Sequence, residues 1–493
     1  MPHDPSLALA TDQYELTMGQ AYWKNGMAEH KAEFHMFFRT LPFGGGYAVW
    51  AGLETLLGYL ERFRFSTEDM DYLAGLRDNR GEPLFDPQYL RFLDEMEWAL
   101  NVDALPEGTV VFPNEPLARV RGPIIQAQLI ETLLLNTLNF QTLIATKAAR
   151  VCWAAQGDPV IEFGFRRAQG LDGALSASRA SYIGGCAGTS NTLAGKRFGI
   201  PVRGTHAHSW VMSFSGEEES FRAFAQAMPN NCVFLVDTYH TLEGVNRAIV
   251  VAQEMRQQGH EMVGVRLDSG DLAWLSIETR KRLNAAGFEN AVVMASNELD
   301  EYLIRSLKSQ GAAIGAWGVG TKLVTAENSP ALGGVYKLAA IRPPGGTWLP
   351  KLKLSEQTAK ISIPGAQEVY RFFNADGRFM ADAIVEEGED PKQVEKIVDP
   401  NDPLRAKSLK GHRQAEPLLA PVLVQGRVCR PHPPLDSVRD RVTTQLAGLD
   451  PSHLRFENPH LYPVGLSPRL HARREDMIRA ERARMHPHPP DSP

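Results

Sequence analysis

The chain has 493 residues, 43% of them hydrophobic and 22% charged, with a formal charge of -6 and a pI near 6.2. That length exceeds what one hydrophobic core serves, so two or three domains are expected. The mild acidity gives no general affinity for nucleic acid or an acidic membrane surface, and any anionic ligand must be held by local cations. No run reaches the roughly eighteen apolar residues of a membrane span. The opening MPHDPSLALATDQYEL lacks a basic segment ahead of an apolar one, so a cytoplasmic protein is expected. Cys152, Cys186, Cys232 and Cys429 are scattered without a CxxC and read as buried thiols.

Residues 1–135 mix helical stretches such as ETLLGYLERF with the strand-like AEFHMFFR and an FGGGY turn, which predicts a separate α/β domain. From 136 to 345 the pattern changes to short β-branched runs, small polar residues and longer amphipathic stretches in alternation. The predicted strands are 159–164, 200–205, 232–238, 261–269, 290–296 and 313–321. Between them, Leu242, Val245, Ile249, Ala252 and Met255 recur at helical spacing and the pattern stops at Gly259. Another helix is predicted within 297–311, with Asn297 as N-cap and Gly311 as stop. Such βα units point to a (β/α) barrel, with an open doubly wound sheet as the competing architecture. Strands in 346–400 are expected to return to the first domain. A C-terminal extension, 401–493, is expected to hold a short basic helix and a disordered Pro/His tail.

In a βα architecture the chemistry gathers at the C-terminal strand ends. Read in order, those ends carry Glu162 with Arg166 and Arg167, then Thr205, His206 and His208, then Asp237 and Thr238. They continue with Arg266, Asp268, Ser269 and Asp271, then Ser296 and Asn297, then Gly318, Gly320 and Thr321. Taken singly, each fits a solvated loop or a helix cap; their joint placement points to an anion-binding, acid–base site. In GAWGVGT the glycines allow close backbone approach and a following helix would aim N–H groups at a phosphate. In RLDSGD, Arg266 can grip an anion while Asp268 and Asp271 suit Mg²⁺; the same segment also reads as a helix start capped by Asp268 or Ser269. The His206-x-His208 pair admits a zinc-dependent barrel hydrolase, but later strand ends add only His240 to the ligand set.

In their order TDQYELTMGQAYW, EFGFRRAQGLDGA, GTSN, GTHAHSW, VDTY, VRLDSGD, ASNELDE, GVGT and GGVYKL, the motifs over residues 10–380 resemble those of the nicotinate phosphoribosyltransferases, a type II phosphoribosyltransferase family. The resemblance implies an irregular (β/α) barrel with an N-terminal α/β domain, and a homodimer with its site near the subunit boundary. It implies an ATP-coupled ligase reaction of NAD biosynthesis: nicotinate and phosphoribosyl pyrophosphate give nicotinate mononucleotide and diphosphate, with Mg²⁺ required. It further implies that His208 is phosphorylated from ATP and that Tyr14 stacks on the pyridine ring. Thr205 and Arg266 surround the nicotinate carboxylate, and Gly318, Gly320 and Thr321 hold the ribose 5-phosphate. Arg166 and Arg167 hold the carboxylate or diphosphate, Asn297 lies among the substrate contacts, and Asp268 stabilises the developing ribosyl cation. The nicotinamide enzyme is the nearest alternative, but where its motif carries an aspartate for the amide, this chain has Gly188-Thr189-Ser190-Asn191.

Overall fold

A computed structural model describes residues 7–357 and 360–485 and divides into two units, residues 143–330 and the remainder on either side. The disordered tail expected at the end of the chain lies outside the described residues. No described helix is long and apolar enough to cross a membrane.

The unit of residues 143–330 is built on a parallel sheet of six short strands. Their order across the sheet is Gly188–Thr189, Val160–Glu162, Ala316–Val319, Val292–Ala295, Gly264–Leu267 and Val233–Leu235. Five predicted strands are present in shortened form. The 200–205 segment contributes only an isolated bridge from Val202 to Thr189, and the strand at Gly188–Thr189 was not foreseen. Two residues are too few to show a period, so that strand exists only because Val160–Glu162 offers it a partner. Helix Thr241–Gln257 follows its strand as the periodicity predicts, and helix Leu272–Ala285 follows the RLDSGD segment read as a helix start. Gly244 lets the first of these lie directly on its strand: a Cβ there would stand 2.0 Å from the Val236 carbonyl oxygen.

Helix starts depart from expectation. Asp300, rather than Asn297, caps helix Glu301–Ser309, its side chain accepting from the Leu303 N–H at 2.7 Å. Asn297 and Glu298 instead hold positive φ of 85° and 25° in the preceding turn. Asp271, rather than Asp268 or Ser269, caps Leu272–Ala285. In both places several acceptors precede the helix, and the backbone path selects the one that reaches the second or third N–H.

The other unit contains a seven-stranded antiparallel sheet in which Lys31–Phe38 lies between Gly334–Arg342 and Ala118–Pro123. Ala420–Val424 adds to this sheet beside Asn101–Ala104. A second, six-stranded sheet centres on Gln367–Phe373 and Phe379–Glu386, with Val464–Leu466 parallel to the latter. Helix Pro468–Met485 is the basic helix foreseen near the end. Of the cysteines, Cys186 and Cys232 are buried and Cys152 half-buried, but Cys429 is exposed, beyond the edge strand Arg427–Val428.

Arg371 is fully buried where several of these segments meet. It donates to Asp382 at 3.0 and 2.6 Å, to the Gln445 side chain at 2.9 Å and to the Val110 carbonyl at 2.8 Å. Tyr462 completes the Asp382 carboxylate with a 2.9 Å hydrogen bond. Removing one partner of such a pair leaves a buried charge uncompensated, which costs more than the pair itself contributes. Arg371→Leu is therefore expected to lower unfolding stability by about 3–5 kcal/mol; a shift under about 1 kcal/mol in urea titration would show that the pair is dispensable.

Candidate active site

Parallel strands all end on one side, and side-chain contacts join three of those ends with the loop that follows Val202. Asp237 Oδ2 accepts the backbone N–H of Asp268 at 2.8 Å and the Ser269 hydroxyl at 2.6 Å. Asp268 Oδ1 accepts from Ser296, and Asp268 Oδ2 lies 3.8 Å from Nε2 of His208. His208 Nδ1 is 3.0 Å from the Thr238 hydroxyl, and Arg266 Nη1 donates to the Thr205 hydroxyl. Thr205, His208, Asp237, Thr238, Arg266, Asp268 and Ser296 thus form one cluster. Every member had been read from sequence as a strand-end group; their mutual contacts had not.

Two polar atoms in this cluster are buried without a hydrogen-bond partner among the described residues: Nε of Arg266 and Oδ1 of Asp237. Burial lowers the Arg266 pKa, the Asp268 and Asp237 carboxylates oppose that shift, and the Arg166 charge adds to it. A half-buried guanidinium with an unused N–H is suited to an anion, and the unused carboxylate oxygen to a cation or a hydroxyl. No group of three or more His, Cys, Asp or Glu able to hold a metal occurs among the described residues. The unused Oδ1 of Asp237 and the part-exposed Asp268 carboxylate are oxygen donors of the type that a hard divalent cation takes. Asp271 fits less well, since one of its oxygens caps a helix.

The two histidines of GTHAHSW have different surroundings. His208 is 41% exposed, whereas His206 is buried among Phe221, Phe224 and Phe234. Nε2 of His206 accepts the Leu235 N–H at 3.3 Å and Nδ1 faces the Ala207 carbonyl at 3.5 Å. The zinc hydrolase reading is corrected by this geometry: both nitrogens of His206 are engaged in the core, so the pair cannot chelate one ion.

Glu162 also turns inward, accepting from the Gly164 N–H, from Ser178 at 2.9 Å and from Thr189 at 2.6 Å. Its role is to hold the turn Phe165–Arg167, on which Arg166 and Arg167 are exposed. Gly164 is required there because a Cβ would lie 2.2 Å from Val324 Cγ1. Phe163, which the sequence reading passed over, packs its ring against Gly318, where a Cβ would meet it at 2.7 Å. Gly318 thus answers to packing within the protein as well as to any ligand. The helix after Gly320 is only the four residues Thr321–Val324, too short for the expected macrodipole. Lys322 there pairs with Asp300 at 3.0 Å. In the other unit, Tyr14 is 45% exposed near the start of helix Gln13–Lys24; partial burial, then the nearby Glu131, raises its pKa.

Fold and site together define an α/β enzyme with a parallel-strand-end site carrying one arginine, two carboxylates and an exposed histidine. Family models for the nicotinate phosphoribosyltransferase N-terminal domain, the family itself and its C-terminal domain match residues 9–139, 159–342 and 366–474. The chain belongs to the nicotinate phosphoribosyltransferase family. A nicotinate phosphoribosyltransferase of Bacillus subtilis (strain 168) is 43% identical over 470 residues, 94% of each chain. That of Homo sapiens is 36% identical over 525 residues, covering 94% of this chain and 95% of its own. The crystal structure of human nicotinic acid phosphoribosyltransferase superposes with a TM-score of 0.83 at 34% identity, covering 95% of this chain and 99% of that one.

Burial first, then the Arg266 and His208 charges, bring the His206 pKa down from 6.5 to about 4 against the opposing Ala207 hydrogen bond. An unfolded histidine takes up its proton near the ordinary value while the folded one resists it. Stability is therefore complete above pH 6.5, declines as pH falls towards 4 and levels off below, a loss on the order of 3 kcal/mol. His206→Gln is expected to remove that part of the acid-side decline in melting temperature; an unchanged profile would show that His206 is not the titrating group.

Proposed function

We propose that this chain is a nicotinate phosphoribosyltransferase of NAD biosynthesis, joining nicotinate to phosphoribosyl pyrophosphate with coupled ATP hydrolysis. The observation that carries the reading is the near-full-length similarity to enzymes of that name, in a chain whose His208, Arg266 and Asp268 meet at one set of strand ends. The pyridine nitrogen attacks C1 of the ribose while the C1–O bond to diphosphate breaks, and nicotinate mononucleotide and diphosphate leave. Arg266, with its spare N–H, holds the nicotinate carboxylate; Thr205 keeps the guanidinium in place. Asp268 lies where it can stabilise positive charge growing on the ribose. Asp237 or Asp268 would hold Mg²⁺, which when bound would supply charge neutralisation to the leaving diphosphate.

His208 takes the γ-phosphoryl group of ATP: a bond forms from an imidazole nitrogen to phosphorus as the ADP oxygen departs. Water later cleaves the phosphoramidate to give inorganic phosphate. Its exposure and its contacts with Thr238 and Asp268 support that role. Tyr14 serves the pyridine ring, Arg166 and Arg167 the anions, and Gly318, Gly320 and Thr321 the ribose phosphate, with Asn297 among the substrate contacts. The working protein is a cytoplasmic homodimer.

The parallel sheet of this enzyme is an irregular barrel, and distance supports that reading. If flat, the sheet would separate Val202 from the Val233–Leu235 strand by six strand spacings, roughly 29 Å. Yet His206, four residues beyond Val202 and at most about 14 Å along the chain, hydrogen-bonds Leu235.

Arg266→Lys keeps the charge and loses the planar fork, so kcat/KM for nicotinate is expected to fall about 10- to 100-fold, with nicotinamide a poor substrate throughout. Equal efficiency with nicotinamide, or an undamaged variant, would remove Arg266 from the carboxylate site. In a second test, γ-labelled ATP should leave acid-labile label on the wild type and none on His208→Ala. Label persisting on the variant would place the phosphoryl group elsewhere.

A further inference from the structure

The parallel ladder has an open seam. On one side lies the segment around Val202, bridged to Thr189; on the other lies Val233–Leu235, whose recorded ladder partner is Gly264–Leu267. No backbone pairing joins the two sides among the described residues. A buried N–H left open at such a seam would be costly, and Leu235, with no exposed surface, carries one.

We infer that His206 is a positioning residue: its imidazole replaces the missing ladder hydrogen bond by accepting the Leu235 N–H, and so aligns His208 with Thr238. The spacing gives this its force. His208 lies two residues beyond His206 and Thr238 three beyond Leu235, so fixing the first contact brings the second pair to 3.0 Å. The same anchor holds Thr205, one residue earlier, on Arg266. The rings of Phe221, Phe224 and Phe234 restrict the imidazole, with Phe224 nearest at 4.9 Å between centroids. His206 touches no substrate on this reading; it acts through the two loops it joins. The catalytic consequence rests on the phosphohistidine assignment above, whereas the contact with Leu235 does not.

The test uses the full-length protein with His206→Gln, His206→Asn and His206→Phe. Glutamine places an acceptor near the position of Nε2, asparagine falls short of it, and phenylalanine fills the aromatic cage without an acceptor. Hydrogen exchange at the Leu235 amide and the initial rate of His208 labelling from γ-labelled ATP are measured together, with kcat and KM for nicotinate. Glutamine is expected to retain protection of Leu235 and labelling within about 3-fold of wild type. Asparagine and phenylalanine are expected to expose the Leu235 amide, to slow labelling and kcat by about 10- to 100-fold, and to raise KM for nicotinate because Thr205 loses its hold on Arg266. Exchange elsewhere in the parallel unit should stay as in wild type, which separates positioning from general unfolding. Wild-type protection and labelling in the phenylalanine variant would overturn the inference, as would equal damage in glutamine and phenylalanine variants. If even the wild type takes no label, the phosphohistidine assignment fails while Leu235 exchange still decides whether His206 closes the seam.

Discussion

The parallel direction of six short strands is the constraint on which the site depends. Because the strands all run one way, their C-terminal ends open on one side, and each following loop begins there. The strands are only two to four residues long, so the ladder itself supplies little of the alignment. Side chains carry the rest. Asp237 ties the loop after its own strand to the loop after the next, Ser296 extends the tie by one strand, and His206 reaches across the side where no ladder exists.

Electrostatics then divides similar residues between structure and chemistry. Glu162, Asp268 and Asp271 are all acidic residues near strand ends. Three donors turn Glu162 into an internal brace, a helix N-terminus occupies Asp271, and Asp268 alone of the three faces His208. His206 and His208 divide likewise: an aromatic cage keeps one neutral and inward, while the other is exposed beside a hydroxyl and a carboxylate. A guanidinium placed among these groups with an N–H to spare is suited to an anionic ligand.

Much of this arrangement was legible along the chain. Alternating apolar runs located five of the six parallel strands, and helical period or cap signals the helices after two of them, because burial on one face imposes a period that survives in sequence. The strand-end groups were legible for a related reason: a polar residue directly after a β-branched run has nowhere to go but the loop. Gly188–Thr189 was not legible, since a two-residue strand has no period. The caps at Asp271 and Asp300 were missed because Asp268, Ser269 and Asn297 are equally good acceptors by type, and only backbone direction chooses among them.

By itself the sequence determined which residue types stand at each strand end, and its ordered motifs determined the family, since both are properties of position along the chain. Tertiary structure alone decided what each group touches. That His206 faces Leu235, that Glu162 is spent on Ser178 and Thr189, and that Arg266 meets Thr205 are contacts between residues 16 to 61 positions apart. Such contacts arise from the curvature and register of the sheet, quantities that depend on all six strands at once and leave no mark at any single position.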